Sequence, residues 1–266
     1  MMNLTYDLHI HSCLSPCGDD DMTPANIAGM AALKGLDVVA LTDHNSCRNC
    51  PAFLAAAEEY GVLAVPGMEI NTSEEVHAVC LFPTLEAALE FDRYVYDRLI
   101  KFPNKEEIFG KQELYDLADQ VCGTEPNLLI NATEISFDGL WELVRGYDGV
   151  MFPAHIDKTA NSLIANLGFI PPDSRFTTAE VKDLKKLHGL KRDNSYLESC
   201  RIISDSDAHY LEHINEPELT IQVEERSRPG WWRPCWRGRY FYDSKKVASE
   251  IMKFFGNKNV IFLRFV

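Results

Sequence analysis

Short apolar runs and helix-like stretches alternate from the first residues of the chain, and polar residues able to bind metal gather where the runs end. Tyr6-Asp7-Leu8-His9-Ile10-His11-Ser12 reads as a strand, and because strand side chains alternate between faces, His9 and His11 point the same way. Ser12 to Asp21 is a loop; Thr23-Pro24 then offers an N-cap and a proline at the first helical position, which predicts a helix to about Lys34, stopped by Gly35. Leu36 to Leu41, apolar except for Asp37, is a run of the kind buried in a parallel sheet, and it leads into Thr42-Asp43-His44-Asn45. Pro51 to Tyr60 is Ala-rich and helical, with Gly61 as its stop. Val62 to Val65 is the next strand, running into Gly67-Met68-Glu69, and Val76 to Phe82, which contains His77, is a fourth.

This alternation predicts a parallel α/β fold, in which ionisable residues at the C-terminal ends of strands converge on one rim. From Thr84 to about Gly149 the rhythm changes. Leu85 to Phe102, Lys111 to Val121 and Phe137 to Arg145 read as helices, so residues 84–149 are expected to form a helical insertion within a single domain spanning 1–266. Strands resume at Gly149 to His155 and at Cys200 to Ser204, the latter just before Asp205-Ser206-Asp207-Ala208-His209. Ser244 to Phe255 is a final helix, followed by a strand from Val260 to Phe265, and no internal repeat or low-complexity tract interrupts the chain.

Composition narrows the class. With 46% hydrophobic and 25% charged residues in 266, the chain is a soluble globular protein with a core of ordinary size. No apolar run approaches the ~18 residues of a membrane span, and Met1 to Asp7 has neither the basic nor the apolar region of a secretion signal, so a cytoplasmic location without membrane contact is expected. The eight cysteines are then expected as thiols or metal ligands rather than disulfides. A net charge of -14 argues against broad binding of duplex DNA but not against an anionic substrate, since cations held by carboxylates can themselves bind phosphate.

Six of the eight histidines, His9, His11, His44, His77, His155 and His209, lie in or directly after predicted strands, in company with Asp43, Glu69 and Asp207. Any one of them alone reads best as a hydrogen-bonded core or loop residue; all six at strand ends read as a metal site.

The ordered motifs His9-x-His11-Ser12, Thr42-Asp43-His44-Asn45, Gly67-Met68-Glu69, Val76-His77, Pro153-Ala154-His155 and Ser206-Asp207-Ala208-His209 resemble those of the PHP (polymerase and histidinol phosphatase) superfamily, over most of the chain. The resemblance implies a distorted (β/α)7 TIM-like barrel with up to three divalent ions, zinc, manganese or iron. It implies that His9, His11, Glu69 and Asp207 hold one ion, that Glu69 bridges to a second held by His77 and His155, and that His44 and His209 hold a third. Asp43 is read as orienting a ligand histidine. Where the family carries Ser-Asp-Gly, this chain has Ser15-Pro16-Cys17-Gly18-Asp19, so Cys17 falls in the slot of a third-site ligand, with Asp19, Asp20 and Asp21 as rivals.

Cys13-x3-Cys17 and Cys47-x2-Cys50 follow the first two strands, and an additional metal held by these four thiols is weighed against free or redox-sensitive thiols. Gly230 to Tyr240 interleaves tryptophans with arginines, as a single-strand nucleic-acid platform does, though an acidic chain favours a structural role for it. Lys158, Arg201 and Arg175 are candidate phosphate anchors, with surface ion pairing as the alternative. His188 and His213 match no motif and read as surface residues.

The activity the resemblance implies is hydrolysis of phosphoric mono- or diesters by a metal-activated water, with Glu69, Asp207 and His209 as catalytic residues and a phosphorylated small molecule or short oligonucleotide as substrate. Nucleotides and short oligonucleotides are favoured, by analogy with similar proteins that carry a helical insertion. The alternatives are a histidinol-phosphate-type phosphatase and a nonhydrolytic metal-binding or redox-sensing module.

Overall fold

In the computed structural model, which describes residues 2–223 and 244–256, the chain opens with β1 (Met2–Asp7), α1 (Pro24–Lys34), β2 (Val38–Leu41), α2 (Cys50–Tyr60), β3 (Leu63–Asn71) and β4 (His77–Leu81). Then come α3 (Leu85–Tyr96), α4 (Glu106–Phe109), β5 (Glu113–Tyr115), β6 (Val121–Thr124), α5 (Phe137–Arg145) and β7 (Val150–Pro153). The remainder is α6 (Leu163–Leu167), β8 (Thr178–Glu180), α7 (Leu187–Asp193), β9 (Arg201–Ile203), β10 (Thr220–Val223) and α8 (Ser244–Gly256). Helix ends follow the local chemistry. Thr23 accepts from the Asn26 amide at 3.2 Å at the start of α1, and Gly35 (φ 84°) and Gly61 (φ 69°) close α1 and α2 in the left-handed conformation.

The main sheet has the order β10-β1-β2-β3-β4-β7. β1, β2 and β3 are parallel, as expected, but β4 is antiparallel to both β3 and β7, and β10 is antiparallel to β1. Only residues 72–76 join β3 to β4, too few for the dozen or so that a parallel crossover needs. The turn closes through Glu75 N–H to Thr72 O (2.9 Å), with Glu75 at φ 57°.

From β7 the circuit continues through Ile156 N–H to Glu180 O (2.9 Å) onto the parallel pair β8-β9, and it returns to the end of β1 through His11 N–H to Ala208 O (3.0 Å). Seven strands, β1, β2, β3, β4, β7, β8 and β9, thus curl into the distorted TIM-like barrel.

Each face of the curled sheet carries its own core. Val38 and Ala40 pack with Leu4, Tyr6, Val65, Val79 and Phe152 on one face, against Ile251 and Phe254 of α8. Val39 and Leu41 pack on the other, with Ile27 of α1, Phe53 of α2 and Phe91 of α3. Period-two burial of this kind leaves each strand one favourable register.

The excursion between β4 and β7 is less helical than its sequence predicts. α3 ends at Tyr96 rather than Phe102, because Pro103 disfavours helix before it and residues 99–103 pair instead with 127–133. Lys111 to Val121 is not a helix: it holds β5, a turn and the start of β6, and Asp116 Oδ1 accepts from the amides of Ala118 and Gln120, a local bond that competes with helix. β8 and β10 were not expected. The tract Gly230 to Tyr240 and the strand Val260 to Phe265 lie outside the described residues. Among the described residues no helix is long and apolar enough to cross a membrane.

Candidate metal centre

One rim of the barrel gathers the C-terminal ends of β1, β2, β3, β7, β8 and β9 and, because β4 runs the other way, the N-terminal end of β4. His77 opens its strand, where the other donor histidines follow theirs, and still reaches the rim. Glu69 and His77 continue the inward-facing series Val65, Glu69 and His77, Val79, so sheet alternation aims both at the centre.

On β1 the alternation slips just beyond the strand. Leu8 packs into the inner core and Ile10 into the outer one, and His9 and His11 both turn to the centre. Asn45 (φ 48°), His155 (φ 30°), Asn161 (φ 53°) and Asp207 (φ 49°) take left-handed backbone here, a conformation that costs side chains with a Cβ about 1–2 kcal/mol each.

The Glu69 carboxylate is the hub. Oε1 lies 3.2 Å from His9 Nε2, 3.1 Å from His77 Nδ1 and 3.1 Å from His155 Nε2, and Oε2 lies 3.4 Å from His11 Nε2 and 3.0 Å from His44 Nδ1. Asp207 Oδ1 adds contacts of 3.5 Å to His9 Nε2 and 3.3 Å to His11 Nε2.

Three sets of donor atoms, each within 4.8 Å of one another, follow: His9-His11-Glu69-Asp207, His44-Glu69-His77 and His11-His44-His209. His155 touches Glu69 but stands outside these sets. His209 stacks on His11 with ring centroids 4.3 Å apart.

These distances fit shared cations. Ligands about 2.0–2.2 Å from one ion are separated from each other by roughly 3.3–3.6 Å around a tetrahedron and roughly 2.8–3.1 Å around an octahedron. His44 Nδ1 and Glu69 Oε2 are buried and face each other without hydrogen-bond geometry, as lone pairs aimed at a common ion do.

Charge is distributed accordingly. Burial opposes charging of Glu69, but His77, His9 and His44 outweigh it and hold the carboxyl well below its ordinary range. Asp207 is likewise held far down, by His9 and His11 against burial. Burial also opposes protonation of His9, yet Glu180, Glu69 and Asp207 lift it well above the ordinary imidazole range; His11 is raised too, by Asp207 and Glu69. Burial next to His11 pushes His44 down to about 3 and His209 down to about 4, so both rings are neutral at pH 7. A cation entering beside His9 and His11 has to displace their protons.

Two further layers hold the histidines. Asp43 accepts from Ser12 N–H (2.7 Å) and Ser15 Oγ (2.7 Å), and Ser15 Oγ meets His11 Nδ1 at 3.0 Å, so Asp43 orients His11 through a serine. Glu180 Oε2 meets His9 Nδ1 at 2.8 Å, both fully buried. Glu180 was not among the sequence candidates. Its only local signal is the short run Phe176 to Glu180 ending in a carboxylate, since its partner lies 171 residues away.

The four clustered thiols do not assemble into a common site. Cys47 and Cys50 point into the outer core, and Cys47 Sγ meets Gly67 O at 3.1 Å. Cys13 is buried, whereas Cys17 is exposed and lines the cleft above Glu69. None of these cysteines belongs to a donor set, and neither do Asp19, Asp20 or Asp21; Asp20 pairs instead with Lys111 at 2.8 Å.

Lys158 lines the same cleft of about 550 Å³ and contacts Asp207 Oδ2. Arg175 pairs with Glu142, and Arg201 lies over the Phe254 ring at 3.9 Å; neither lines the cleft. His188 and His213 are exposed.

Among curated proteins the chain is 29% identical over 153 residues to a "5'-3' exoribonuclease" of Haemophilus influenzae, a match covering 52% of this chain and 55% of that one. Among solved structures it is similar to a lesion-specific endonuclease of Pyrococcus furiosus, with TM-score 0.60 and 19% identity over 96% of this chain and 56% of the other. Endonuclease Q in complex with a 27-mer duplex substrate carrying an abasic lesion gives TM-score 0.58 and 19% identity, over 95% and 56%. The chain therefore spans about half the length of these relatives, and at 19% identity the two structures speak to the fold alone. The PHP domain profile, in contrast, matches residues 7–166 and takes in His9, His11, His44, Glu69, His77 and His155, so the protein belongs to the PHP domain family.

Proposed function

We propose that this protein is a metal-dependent phosphoesterase whose substrates are nucleotides or short oligonucleotides. The observation that carries the reading is Glu69, one buried carboxylate within 3.0–3.4 Å of five imidazoles brought in by β1, β2, β4 and β7. In this reading His9, His11, Glu69 and Asp207 hold one divalent cation, Glu69 with His77 and His155 a second, and His44 with His209 a third. Zinc and iron suit the imidazoles, and manganese the carboxylates of Glu69 and Asp207. Bound there, such ions polarise phosphoryl oxygens and bring the pKa of a coordinated water towards neutrality.

The chain's own residues set the stage for that chemistry. Glu69 would hold neighbouring cations and offset their repulsion, and Asp207 adds a second negative charge beside His9 and His11. His209, uncharged at neutral pH, offers a lone pair more readily than a proton, which favours a ligand's role over that of an acid. Lys158 at the cleft supplies a positive charge to an incoming phosphate.

The relative from Haemophilus influenzae, an exoribonuclease, supports a nucleotide or oligonucleotide as substrate. The acidity of the chain argues against duplex DNA, but a fold neighbour was solved with a duplex substrate, so duplexes belong in the substrate panel. The test is hydrolysis of 5'-phosphorylated oligonucleotides, duplexes and small phosphomonoesters with Mn, Zn, Fe and Mg. Glu69→Gln is expected to lose at least about a hundredfold in rate while keeping its circular dichroism spectrum, because the bridge between ions is gone. Full turnover in that variant refutes the reading.

A further inference from the structure

Residues 129–133 of the excursion are sewn onto the strand ends that carry the donors. Asn45, directly after His44, donates from Nδ2 to Leu129 O (2.6 Å) and Asn131 O (2.8 Å). Asn71, two residues after Glu69, donates from Nδ2 to Ile130 O (3.0 Å), and its own carbonyl accepts from both N–H and Oγ1 of Thr133 at 2.9 Å. The two asparagines are joined by Asn71 N–H to Asn45 Oδ1 (2.9 Å). Three consecutive carbonyls are thus consumed by buried amides, and the left-handed backbone at Asn45 (φ 48°) is what brings its amide there.

The result is a wall of fixed distance from Glu69 and His44. Its one residue lining the cleft is Ile130, half-buried, and Ile130 is the only branched aliphatic among the described residues that do so. The rest of the lining is charged, polar or small.

We propose that this wall is a subsite for the organic part of the ester: a phosphate resting over Glu69 lays a flat nucleoside against Ile130. The inference rests on the phosphoesterase reading and adds to it a residue that selects nucleotides over bare phosphate. A wall held by backbone carbonyls needs no ordering on binding, so its apolar contact is realised with little entropic loss.

The test uses the full chain loaded with Mn²⁺ and isothermal titration of two probes, adenosine 5'-monophosphate and inorganic phosphate. In the wild type the nucleotide is expected to bind at least about tenfold more tightly than phosphate, and Ile130→Ala to weaken the nucleotide about 5- to 20-fold with phosphate affinity unchanged, the scale set by lost apolar groups in a pocket. Ile130→Leu, which restores the aliphatic bulk, is expected to return within about twofold of the wild type. Equal affinity of the wild type for the two probes, or an Ile130→Ala variant that loses nothing or loses both equally, overturns the subsite and leaves the phosphoesterase reading standing. A wild type that binds neither probe overturns both.

Discussion

His9 is gripped from both ends: Nε2 faces Glu69 and Asp207, and Nδ1 is held by Glu180 at 2.8 Å. A carboxylate on the far nitrogen of a ligand imidazole fixes the ring's tautomer and makes the near nitrogen a stronger donor. Glu180→Gln keeps an acceptor of nearly the same shape but removes the charge. Calorimetric titration of the chelator-stripped protein is expected to show metal affinity at the His9-His11 site lowered about 10- to 100-fold. Melting in chelator is expected to fall as well, because Glu180 is the buried counter-charge of the His9 ring, and relief of its repulsion with Asp205 offsets only part of that loss. Unaltered metal affinity would remove Glu180 from the site. At this scale the histidines and Glu69 were legible because their residue types and strand-end positions carry the signal locally. Glu180 and Ile130 were not, since an ordinary glutamate and an ordinary isoleucine acquire meaning only from what folds against them.

Among the elements, the β3-β4 hairpin bears most on the centre, as it sets Glu69 beside His77. Its close approach depends on Gly67, where an added Cβ would lie 2.8 Å from Cys80 O and 2.8 Å from Leu81 Cδ2. Gly67→Ala is expected to cost about 1–3 kcal/mol of stability in urea unfolding, as overpacking of a rigid interior does. It should also weaken metal binding, because β3 has to shift two residues before Glu69. A variant as stable and as tightly metal-binding as the wild type would show that the strands can yield there. The antiparallel turn at β4 was readable from the shortness of residues 72–76 and the cluster Asn71-Thr72-Ser73, which the strand-helix rhythm of the preceding segments obscured. The β5-β6 hairpin was not, because Lys111 to Val121 has helix-compatible composition and Asp116 decides the matter through bonds within its own turn.

On the scale of the whole molecule, the centre joins the two ends of the barrel circuit, so cations bound there should stabilise the fold. At about 100 times its dissociation constant a bound ion adds roughly 2.7 kcal/mol, which for a domain of this size corresponds to a rise of about 5–10 °C in melting temperature. Chelation followed by stepwise return of Mn²⁺ or Zn²⁺ in scanning calorimetry checks this, and a melting temperature insensitive to both ions would contradict it. The sequence by itself determined the strand-helix rhythm, the apolar faces and the rim residues His9, His11, His44, Glu69, His77, His155, Asp207 and His209, since each follows from periodicity and residue chemistry within a few neighbours. Only the tertiary structure decided that the four clustered cysteines form no common site. It alone brought Glu180 beneath His9 and set Ile130 against the cleft. All of these depend on contacts between distant segments, whose relative placement is set by the packing of two cores and by no local preference.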